Sequence, residues 1–416
     1  MLKDLVKPRP DQLMALEDAR STIHNTLLCS LASEVVKISN ALNRVLSDNI
    51  ISPTDVPAHT NSALDGYAIA GADIPKDGLS ELKVIGASWA GRPFVGKCDQ
   101  QQAVLIMTGA VMPHGTDTVI AREFSRKTEN GIKIDSTNRI GQNVRAAGED
   151  LKRGAIVLPK GKRLMPAELG LLASLGTTQV KVYRKLKVTI FSTGDELRNP
   201  DETLENGGVY DSNRSILGGM LCRIGAEVID QGIIRDKRQE VEVALMSAAN
   251  STDVIITTGG VSTGDADYVE EVLRECGELN FWRVSIKPGR PIAFGQIKDT
   301  VFFGLPGNPV AVMVTFYQLL NYALCTLMGE SDPRTTPMLK VRCCSDLSKK
   351  AGRTEFYRGI LSPNEKGELE VSKTNKQGSG VLHSMSAANC FIVLDDECEK
   401  IEPGNIVKVQ PFFGLV

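Results

Sequence analysis

Short apolar runs alternate with segments of helical spacing through the middle of the chain. The runs lie at residues 188–191, 254–256 and 301–303, and apolar residues recur at helical spacing over 216–224 and 269–276. Strands that are apolar on both faces and alternate with helices are typical of a parallel sheet covered by helices on both sides. Residues 183–332 are therefore predicted to form a doubly wound α/β domain, to which residues 1–20 are also assigned.

A second pattern, in which turn residues separate short apolar runs, occurs on both sides of this region. Before it the runs are at residues 82–85, 103–106, 118–120 and 132–134, and after it at 339–341, 356–361, 369–371, 391–394 and 406–409. Runs of this length and spacing predict strands. We expect a β-rich insertion domain over residues 53–142 and a C-terminal β barrel over residues 333–416.

The remaining segments, residues 21–52 and 143–182, predict one discontinuous mixed and helical domain that the β-rich insertion interrupts. Apolar spacing through Leu27, Leu31 and Val35 favours a helix in the first segment. The second contains an expected helix from Pro166 that Gly176 ends.

One stretch, residues 309–329, contains no charged side chain and is long enough for two readings. A membrane span needs about 20 mainly apolar residues. However, Thr315, Gln318 and Asn321 interrupt the stretch, and Asn308 with Pro309 begins it as a helix cap. We expect a buried helix of a soluble domain, with a membrane span as the alternative.

Composition narrows the function classes. The formal net charge of −2 gives no electrostatic reason to expect nucleic acid or an anionic membrane as partner. Nine cysteines without a CxxC pair and four dispersed histidines provide no zinc pattern. Charges near the N-terminus replace the apolar core of a signal peptide. A cytoplasmic protein with reduced thiols is expected.

Three loops in the α/β region follow predicted strands and are rich in glycine and hydroxyl groups. They read STGDE at 192–196, TTGGVSTGDAD at 257–267 and GLPGNP at 304–309. Ligands of an open parallel sheet bind beyond the carboxyl ends of its strands, and helix N-termini there favour anions. The three loops together favour an anion or nucleotide site. Taken singly, each also fits plain structure, because Thr193 with Glu196 forms a capping box and Asn308 an N-cap.

Acidic and basic side chains accompany these loops. Mg²⁺ is usually bound by one or two carboxylates plus phosphate oxygens, although acids at helix N-termini can also be merely solvated. The stiff IKPGR segment at 286–290 can fix two cations toward an oxyanion, or it can be a surface turn. The acids at this edge are Asp195, Glu196, Asp236, Asp265 and Asp267, and the cations are Lys287 and Arg290.

The motifs occur in an order that resembles the molybdopterin molybdenumtransferase family, which includes bacterial MoeA and the E domain of gephyrin. Besides the loops above, the resemblance rests on NSALDGYA at 61–68, MTGA at 107–110, GED at 148–150, VYDSNR at 209–214, FYRG at 356–359 and QGS at 377–379. It covers nearly the whole chain.

This resemblance implies a four-domain homodimer that inserts molybdate into adenylated molybdopterin and releases AMP, with Mg²⁺ required. A separate molybdopterin adenylyltransferase is the expected partner, and apo-molybdoenzymes are further possible partners. Matched by motif, the catalytic positions would be Asp65, Thr108, Asp150, Glu196, Asp236, Asp267, Lys287, Arg358 and Ser379. The positions expected to bind molybdopterin and AMP are Ser192, Thr193, Gly194, Asp211, Asn213, Gly259, Gly260, Ser262, Gly264, Arg290, Pro306, Gly307, Asn308 and Pro309.

Within this scheme, Lys287, Arg358 and Ser379 would donate to the molybdate oxygens. Glu196 and Asp267 would hold Mg²⁺ or orient water. His59 and Arg290 depart from residues common in the family. Two other functions stay open, a non-catalytic gephyrin-like scaffold and a generic Mg²⁺-dependent nucleotide transferase.

Overall fold

The computed structural model describes residues 13–260, 268–333 and 337–412, with the side chains of 279–282 excepted. The chain forms two compact units. Within the described residues, the first comprises 13–47, 161–165 and 179–412, and the second comprises 48–160 and 166–178. The candidate site residues Ser262, Gly264 and Asp267 lie outside the described residues, as does Asp265. The four-domain boundaries stay a prediction.

Eight α-helices occur in the described residues, and a π-helical turn at Phe316–Leu320 joins α6 to α7. The helices are α1 Leu16–Thr26, α2 Pro166–Ser174, α3 Asn213–Ile224, α4 Arg238–Ala249, α5 Tyr268–Cys276, α6 Pro309–Thr315, α7 Asn321–Leu327 and α8 Leu382–Ala387.

The strands of the same residues are numbered β1 to β29. Those up to residue 183 are β1 Leu13–Met14, β2 Ser33–Lys37, β3 Ile50–Ile51, β4 Asn61–Ser62, β5 Gly66–Ile69, β6 Leu79–Ser88, β7 Gln102–Ile106, β8 Thr118–Ala121, β9 Arg126–Lys127, β10 Gly131–Asp135, β11 Val144–Arg145, β12 Ile156–Leu158 and β13 Gln179–Tyr183. The later ones are β14 Lys187–Thr193, β15 Leu197–Arg198, β16 Val209–Tyr210, β17 Glu227–Ile234, β18 Val254–Thr258, β19 Gly277–Val284, β20 Ile286–Lys287, β21 Pro291–Ile297, β22 Thr300–Leu305, β23 Leu339–Cys343, β24 Leu347–Ser348, β25 Thr354–Pro363, β26 Leu369–Lys373, β27 Cys390–Leu394, β28 Lys400–Ile401 and β29 Ile406–Pro411.

The central sheet of the first unit has the strand order β1-β19-β21-β22-β18-β14-β17. Strands β17, β14, β18 and β22 are parallel neighbours, and β21 runs antiparallel between β22 and β19. Ile190 and Phe303 point into one apolar core with α1, α3, α6 and α7, whereas the adjacent Phe191 and Phe302 point into another with α4 and α5. Helices on both faces confirm the doubly wound prediction.

The uncharged stretch forms the segment Pro309–Leu327. By length and composition it could cross a membrane, but 72% of its most apolar window is buried inside the protein. Val310, Val314 and Leu320 belong to the central core, and the neighbouring Tyr317 ring stacks on Phe412 at 5.6 Å. Such contacts are those of a core helix.

Five strands near the C-terminus close into a barrel in the order β25-β26-β23-β29-β27, because β27 also pairs with β25. Val371, Ile392 and Val409 fill its interior, and Phe356 and Phe391 of its outer face pack into the central core. All five predicted strands are present.

The second unit contains a six-stranded sheet of order β8-β5-β7-β6-β10-β9, with Ile69, Leu82 and Ile132 in its core. The four apolar runs predicted there are strands β6, β7, β8 and β10. The helix predicted from Pro166 is α2.

The helix predicted in the segment 21–52 is wrong beyond residue 26. Within residues 13–52, only Leu16–Thr26 is α-helical, and Ser33–Lys37 is strand β2, paired antiparallel with β13. Val35 and Val36 are β-branched, and such residues favour an extended strand over continuation of the helix.

Candidate functional site

Asn213, the first residue of α3, joins two of the three loops at the carboxyl edge of the central sheet. Its Nδ2 donates to Thr258 Oγ1 at 2.8 Å and to the Gly307 carbonyl at 2.7 Å. Thr258 Oγ1 in turn donates to the Pro306 carbonyl at 3.1 Å. The structure therefore brings together the predicted positions Asn213, Pro306 and Gly307 at the ends of β18 and β22.

The first turn of α3 is capped by an upstream carboxylate and not by the Asn213 side chain. Helix α3 begins at Asn213, and Asp211 Oδ1 accepts from the backbone N–H groups of Asn213 and Arg214 at 3.0 and 3.3 Å. Arg214 Nε also donates to Asp211 Oδ2 at 2.7 Å. Because Asp211 satisfies the helix end, the Asn213 amide is available to fasten the loops.

Several buried polar atoms at this edge have no hydrogen-bond partner among the described residues. They are Ser192 Oγ, Thr193 Oγ1, Thr257 Oγ1 and Asn213 Oδ1. A buried polar atom without a partner costs free energy, so such groups are normally satisfied by protein, water or ligand. Their concentration at the strand ends fits a site for a polar ligand.

Gly259 and Gly260 let the loop after β18 approach its neighbours closely. Gly259 has φ +85°, and a Cβ there would lie 2.6 Å from the Thr193 carbonyl oxygen. Gly260 has φ +66°, and a Cβ there would lie 2.8 Å from Thr193 Oγ1. Only glycine combines this left-handed backbone with such contacts, which places the two predicted loops side by side.

Glu196 does not belong to a capping box, because no helix begins near it. After β14 and Gly194 the chain turns into β15, which pairs with β16 before α3 begins. The loop interpretation that needed a helix at Thr193 is therefore wrong. Asp195 and Glu196 are both exposed on this turn.

Asp236 faces these two acids. Its backbone N–H donates to Asp195 Oδ1 at 3.3 Å. Burial first, and then the charges of Asp195 and Glu196, raise the pKa of the Asp236 carboxyl above its ordinary value. Mutual repulsion of this kind fits a place where a hard cation, held by one or two carboxylates and by phosphate oxygens, would compensate the charge.

A complete metal site is not present among the described side chains. No three acidic, cysteine or histidine side chains of residues 13–260, 268–333 and 337–412 are grouped to hold one ion. The expected second ligand, Asp267, lies outside those residues. The pairing of Glu196 with Asp267 thus stays a prediction.

Lys287 extends from β20, which pairs with β25 of the barrel. Its Nζ donates to both carboxylate oxygens of Glu355, at 3.1 and 3.2 Å. The Lys287 side chain is 53% exposed, whereas Glu355 is 6% exposed. The lysine is therefore held at the surface by a buried acid, which sequence analysis did not identify.

Arg358 is the largest fully buried side chain of the described residues, with 1% exposure. Nε donates to Ser384 Oγ at 3.1 Å, and Nη2 donates to the carbonyls of Gly378 and Lys376 at 3.1 and 3.4 Å. No carboxylate of the described residues forms an ion pair with it. Burial lowers the pKa of the guanidinium to about 10, since low polarity disfavours the charged form.

Ser379 lies in the loop that supplies these carbonyls, and its own carbonyl accepts from the Val310 N–H of α6 at 3.2 Å. Asn308 is the N-cap of α6, with Pro309 at N1 as predicted, but its side chain makes no capping hydrogen bond. The loops of Asn308 and Ser379 are therefore adjacent. Arg290 is exposed, and its side chain has no partner among the described residues.

In the second unit the structure pairs two of the predicted positions. Asp65 Oδ1 accepts from both the backbone N–H and the Oγ1 hydroxyl of Thr108, each at 2.8 Å. These bonds, with a smaller contribution from Arg122, keep the pKa of the Asp65 carboxyl below its ordinary value. Asp150 is exposed, and its backbone N–H donates to the Val56 carbonyl at 3.0 Å.

Four residues that contact the predicted positions were missed by sequence reasoning, namely Thr258, Glu355, Gln377 and Ser384. Thr258 and Gln377 stand inside quoted motifs, so their position was a usable signal. Glu355 immediately precedes the FYRG motif and Ser384 follows QGS by five positions. Neither has a spacing that predicts its contact.

Three family models match consecutive parts of the chain. A model described as the MoeA N-terminal region (domain I and II) matches residues 14–176. A probable molybdopterin binding domain matches residues 189–325, and the MoeA C-terminal region (domain IV) matches residues 340–412.

Known proteins are similar over the same length. The chain is 41% identical to the molybdopterin molybdenumtransferase of Haemophilus influenzae, covering 97% of this chain and 100% of that protein. It is 32% identical to that of Bacillus subtilis, covering 91% and 89%. The moeA protein structure from Pyrococcus horikoshii OT3 superimposes with a TM-score of 0.83 at 28% identity, covering 96% of this chain and 100% of that one.

Proposed function

The chain belongs to the MoeA family of molybdopterin molybdenumtransferases, and we propose on that premise that it inserts molybdenum into adenylated molybdopterin and releases AMP. It is an enzyme of molybdenum cofactor biosynthesis, acting at the final step. Molybdate and the adenylated pterin are its substrates, and Mg²⁺ is the expected cation.

The observation that carries the proposal is a buried cation without a protein anion. Arg358 has no carboxylate partner among the described residues, and only carbonyls and one hydroxyl accept from it. A buried charge is normally paired. A tetrahedral dianion such as molybdate would supply the missing charge, with Ser379 in the adjoining loop and Lys287 on the neighbouring strand as further donors.

The unpartnered polar atoms at the strand ends support a second subsite, for the phosphates of the pterin and AMP. Ser192 and Thr193 can donate their hydroxyls, and the loop of Gly259 and Gly260 can approach with its backbone. The dithiolene of molybdopterin would react with molybdate largely because the site holds the two close together.

Glu196 and Asp267 would hold Mg²⁺, with Asp195 and Asp236 adding negative charge near Glu196. When bound, the ion would neutralise phosphate charge during cleavage of the adenylate. Glu196 itself can also orient the attacking water. Asp65 and Thr108 form a preorganised acceptor and hydroxyl in the second unit, and we assign them to the same reaction together with Asp150.

The proposal extends to partners and location. An adenylate must be formed by an enzyme that transfers AMP from a nucleoside triphosphate, so we propose a separate molybdopterin adenylyltransferase that hands its product over. We further propose that the protein is a homodimer, that it delivers its product to apo-molybdoenzymes, and that it is cytoplasmic. No disulfide is formed among the described residues, which include all nine cysteines, and this is compatible with a reducing compartment.

The direct test incubates purified protein with adenylated molybdopterin, Mg²⁺ and molybdate, and measures AMP release and reconstitution of an apo-molybdoenzyme. Both products should depend on molybdate. Substrate binding without either product would instead indicate a scaffold, and turnover of ATP alone would indicate a generic nucleotide transferase.

Glu196→Gln should reduce turnover by at least about a hundredfold, because it removes a charge from the cation and water site. Its fold should be unchanged, since Glu196 is exposed. Glu202→Gln is a control on the same segment. Turnover retained by Glu196→Gln would refute the assignment of Glu196.

A further inference from the structure

The guanidinium of Arg358 has five N–H donors, and the protein uses them unequally. Nε and Nη2 donate to Ser384, Gly378 and Lys376. Nη1 has no partner among the described residues. The protein therefore fixes two corners of a planar group and leaves the third without a partner among those residues.

The hydroxyl of Ser384, in α8, donates in one direction and accepts in another. Its Oγ donates to the Val381 carbonyl at 2.6 Å, which occupies its single hydrogen. The lone pairs remain, and they accept from Arg358 Nε. Ser384 is 4% exposed, so water does not substitute easily for this acceptor.

The Ser384 contact involves only the side chain of Arg358. Gln377 holds the main chain instead, because its Oε1 accepts from the Arg358 N–H at 2.9 Å and its Nε2 donates to the Arg358 carbonyl at 3.0 Å. Gln377 Nε2 also donates to Thr374. Loss of Gln377 would disturb the loop, whereas loss of the Ser384 hydroxyl frees one corner of the guanidinium and the Val381 carbonyl within the same short helix.

We propose that Ser384 is a positioning residue, which orients Arg358 so that Nη1 meets the oxyanion substrate. The inference rests on the proposed function, in which Arg358 binds molybdate. Ser384 acts through Arg358 and does not itself contact substrate. Its removal should weaken oxyanion binding and leave the binding of the pterin adenylate unchanged.

The experiment compares four full-length variants with the unaltered protein: Ser384→Ala, Ser384→Thr, Arg358→Gln and Ser386→Ala. Ser386 is exposed on the same helix and serves as the matched control. Equilibrium dialysis measures the Kd of molybdate alone, and steady-state kinetics gives KM for each substrate and kcat. Thermal unfolding checks the fold of every variant.

For Ser384→Ala we expect Kd and KM for molybdate to rise about tenfold, the effect of losing one hydrogen bond to a charged group. KM for adenylated molybdopterin and kcat should stay within about twofold. Ser384→Thr, which keeps the hydroxyl, should recover to within about threefold. Ser386→Ala should match the unaltered protein.

The outcomes distinguish a failure of this inference from a failure of the proposed function on which it rests. Unchanged molybdate binding in Arg358→Gln would overturn the proposed role of Arg358, and the inference with it. Weak binding in Arg358→Gln with normal binding in Ser384→Ala would overturn the inference alone. A rise in both KM values, or no recovery in Ser384→Thr, would make Ser384 a structural residue and would also overturn it.

Discussion

A buried arginine contributes positive charge to the proposed oxyanion site. Arg358 has a pKa lowered to about 10 by burial. Below this pH the guanidinium is charged and attracts a dianion; above it the attraction is lost. The affinity for molybdate should therefore fall as pH rises through about 10.

We predict that the association constant for molybdate stays level up to about pH 9 and falls about tenfold per unit well above pH 10. Equilibrium dialysis in Lys287→Met, which removes the neighbouring cation, assigns the fall to Arg358. An affinity that stays level up to pH 11 in that variant would contradict the lowered pKa.

Asn213 shows how one amide can fasten several loops. It donates to Thr258 and to the Gly307 carbonyl from a buried position. Asn213→Leu would leave both acceptors buried without this donor, which costs about 2–3 kcal/mol. Urea unfolding should show this loss, whereas Ser212→Ala, at an N-cap without a side-chain hydrogen bond, should change stability by less than about 0.5 kcal/mol. Equal effects in both variants would argue against the fastening role.

At the level of elements, the pairing of β20 with β25 places Lys287 over Glu355. The carboxylate lowers the net charge that Lys287 offers to an anion. We predict that Glu355→Gln improves the affinity for molybdate about threefold, the scale of a half-exposed ion pair. Glu365→Gln, at an exposed position of the same barrel, is the control. Weaker molybdate binding in Glu355→Gln would mean that Glu355 orients Lys287 toward the anion and does not reduce its attraction for it.

The elements with a clear period could be predicted from sequence, and those without one could not. Continuous apolar runs predicted β14, β18 and β22, and spacing predicted α5. Strand β21 was missed because Pro291, Gly295 and Gln296 interrupt its apolar positions. Helix α5 ends at Cys276, and Gly277 directly begins β19.

Some contacts in the candidate site could likewise be predicted from the sequence, and others could not. Loop motifs placed Asn213, Gly259 and Gly307 together at one sheet edge, as the rule for parallel strands predicts. The Lys287–Glu355 contact spans 68 positions, and only the closure of the barrel onto β20 creates it. Sequence spacing contains no signal for such a contact.

At the level of the whole molecule, Arg163 connects three segments of the first unit. It donates to the carbonyls of Asn43 and Ile224, each at 2.9 Å, and pairs with Glu330 at 3.0 Å. The Glu330 side chain is 7% exposed. Arg163 thus holds the short segment 161–165 against α3 and the end of α7.

We predict that Arg163→Met destabilises the protein by about 3–5 kcal/mol, since it leaves Glu330 buried without its partner. Arg163→Met combined with Glu330→Gln should recover part of the loss. Guanidinium unfolding measures both, with Arg153→Met as an exposed control. A double variant no better than Arg163→Met would show that the carbonyl contacts of Arg163 dominate.

The first unit is assembled from distant parts of the chain, and this has a consequence for its synthesis on the ribosome. Arg20 of α1 donates to Gln318, 298 positions later, and β1 pairs with β19. At about 5–20 residues per second, roughly 15–60 s separate the emergence of these partners. Throughout that interval the apolar face of α1, with Ala19 and Ile23, lacks its native cover. The nascent chain would expose it to chaperones while the second unit, complete by residue 178, can already fold.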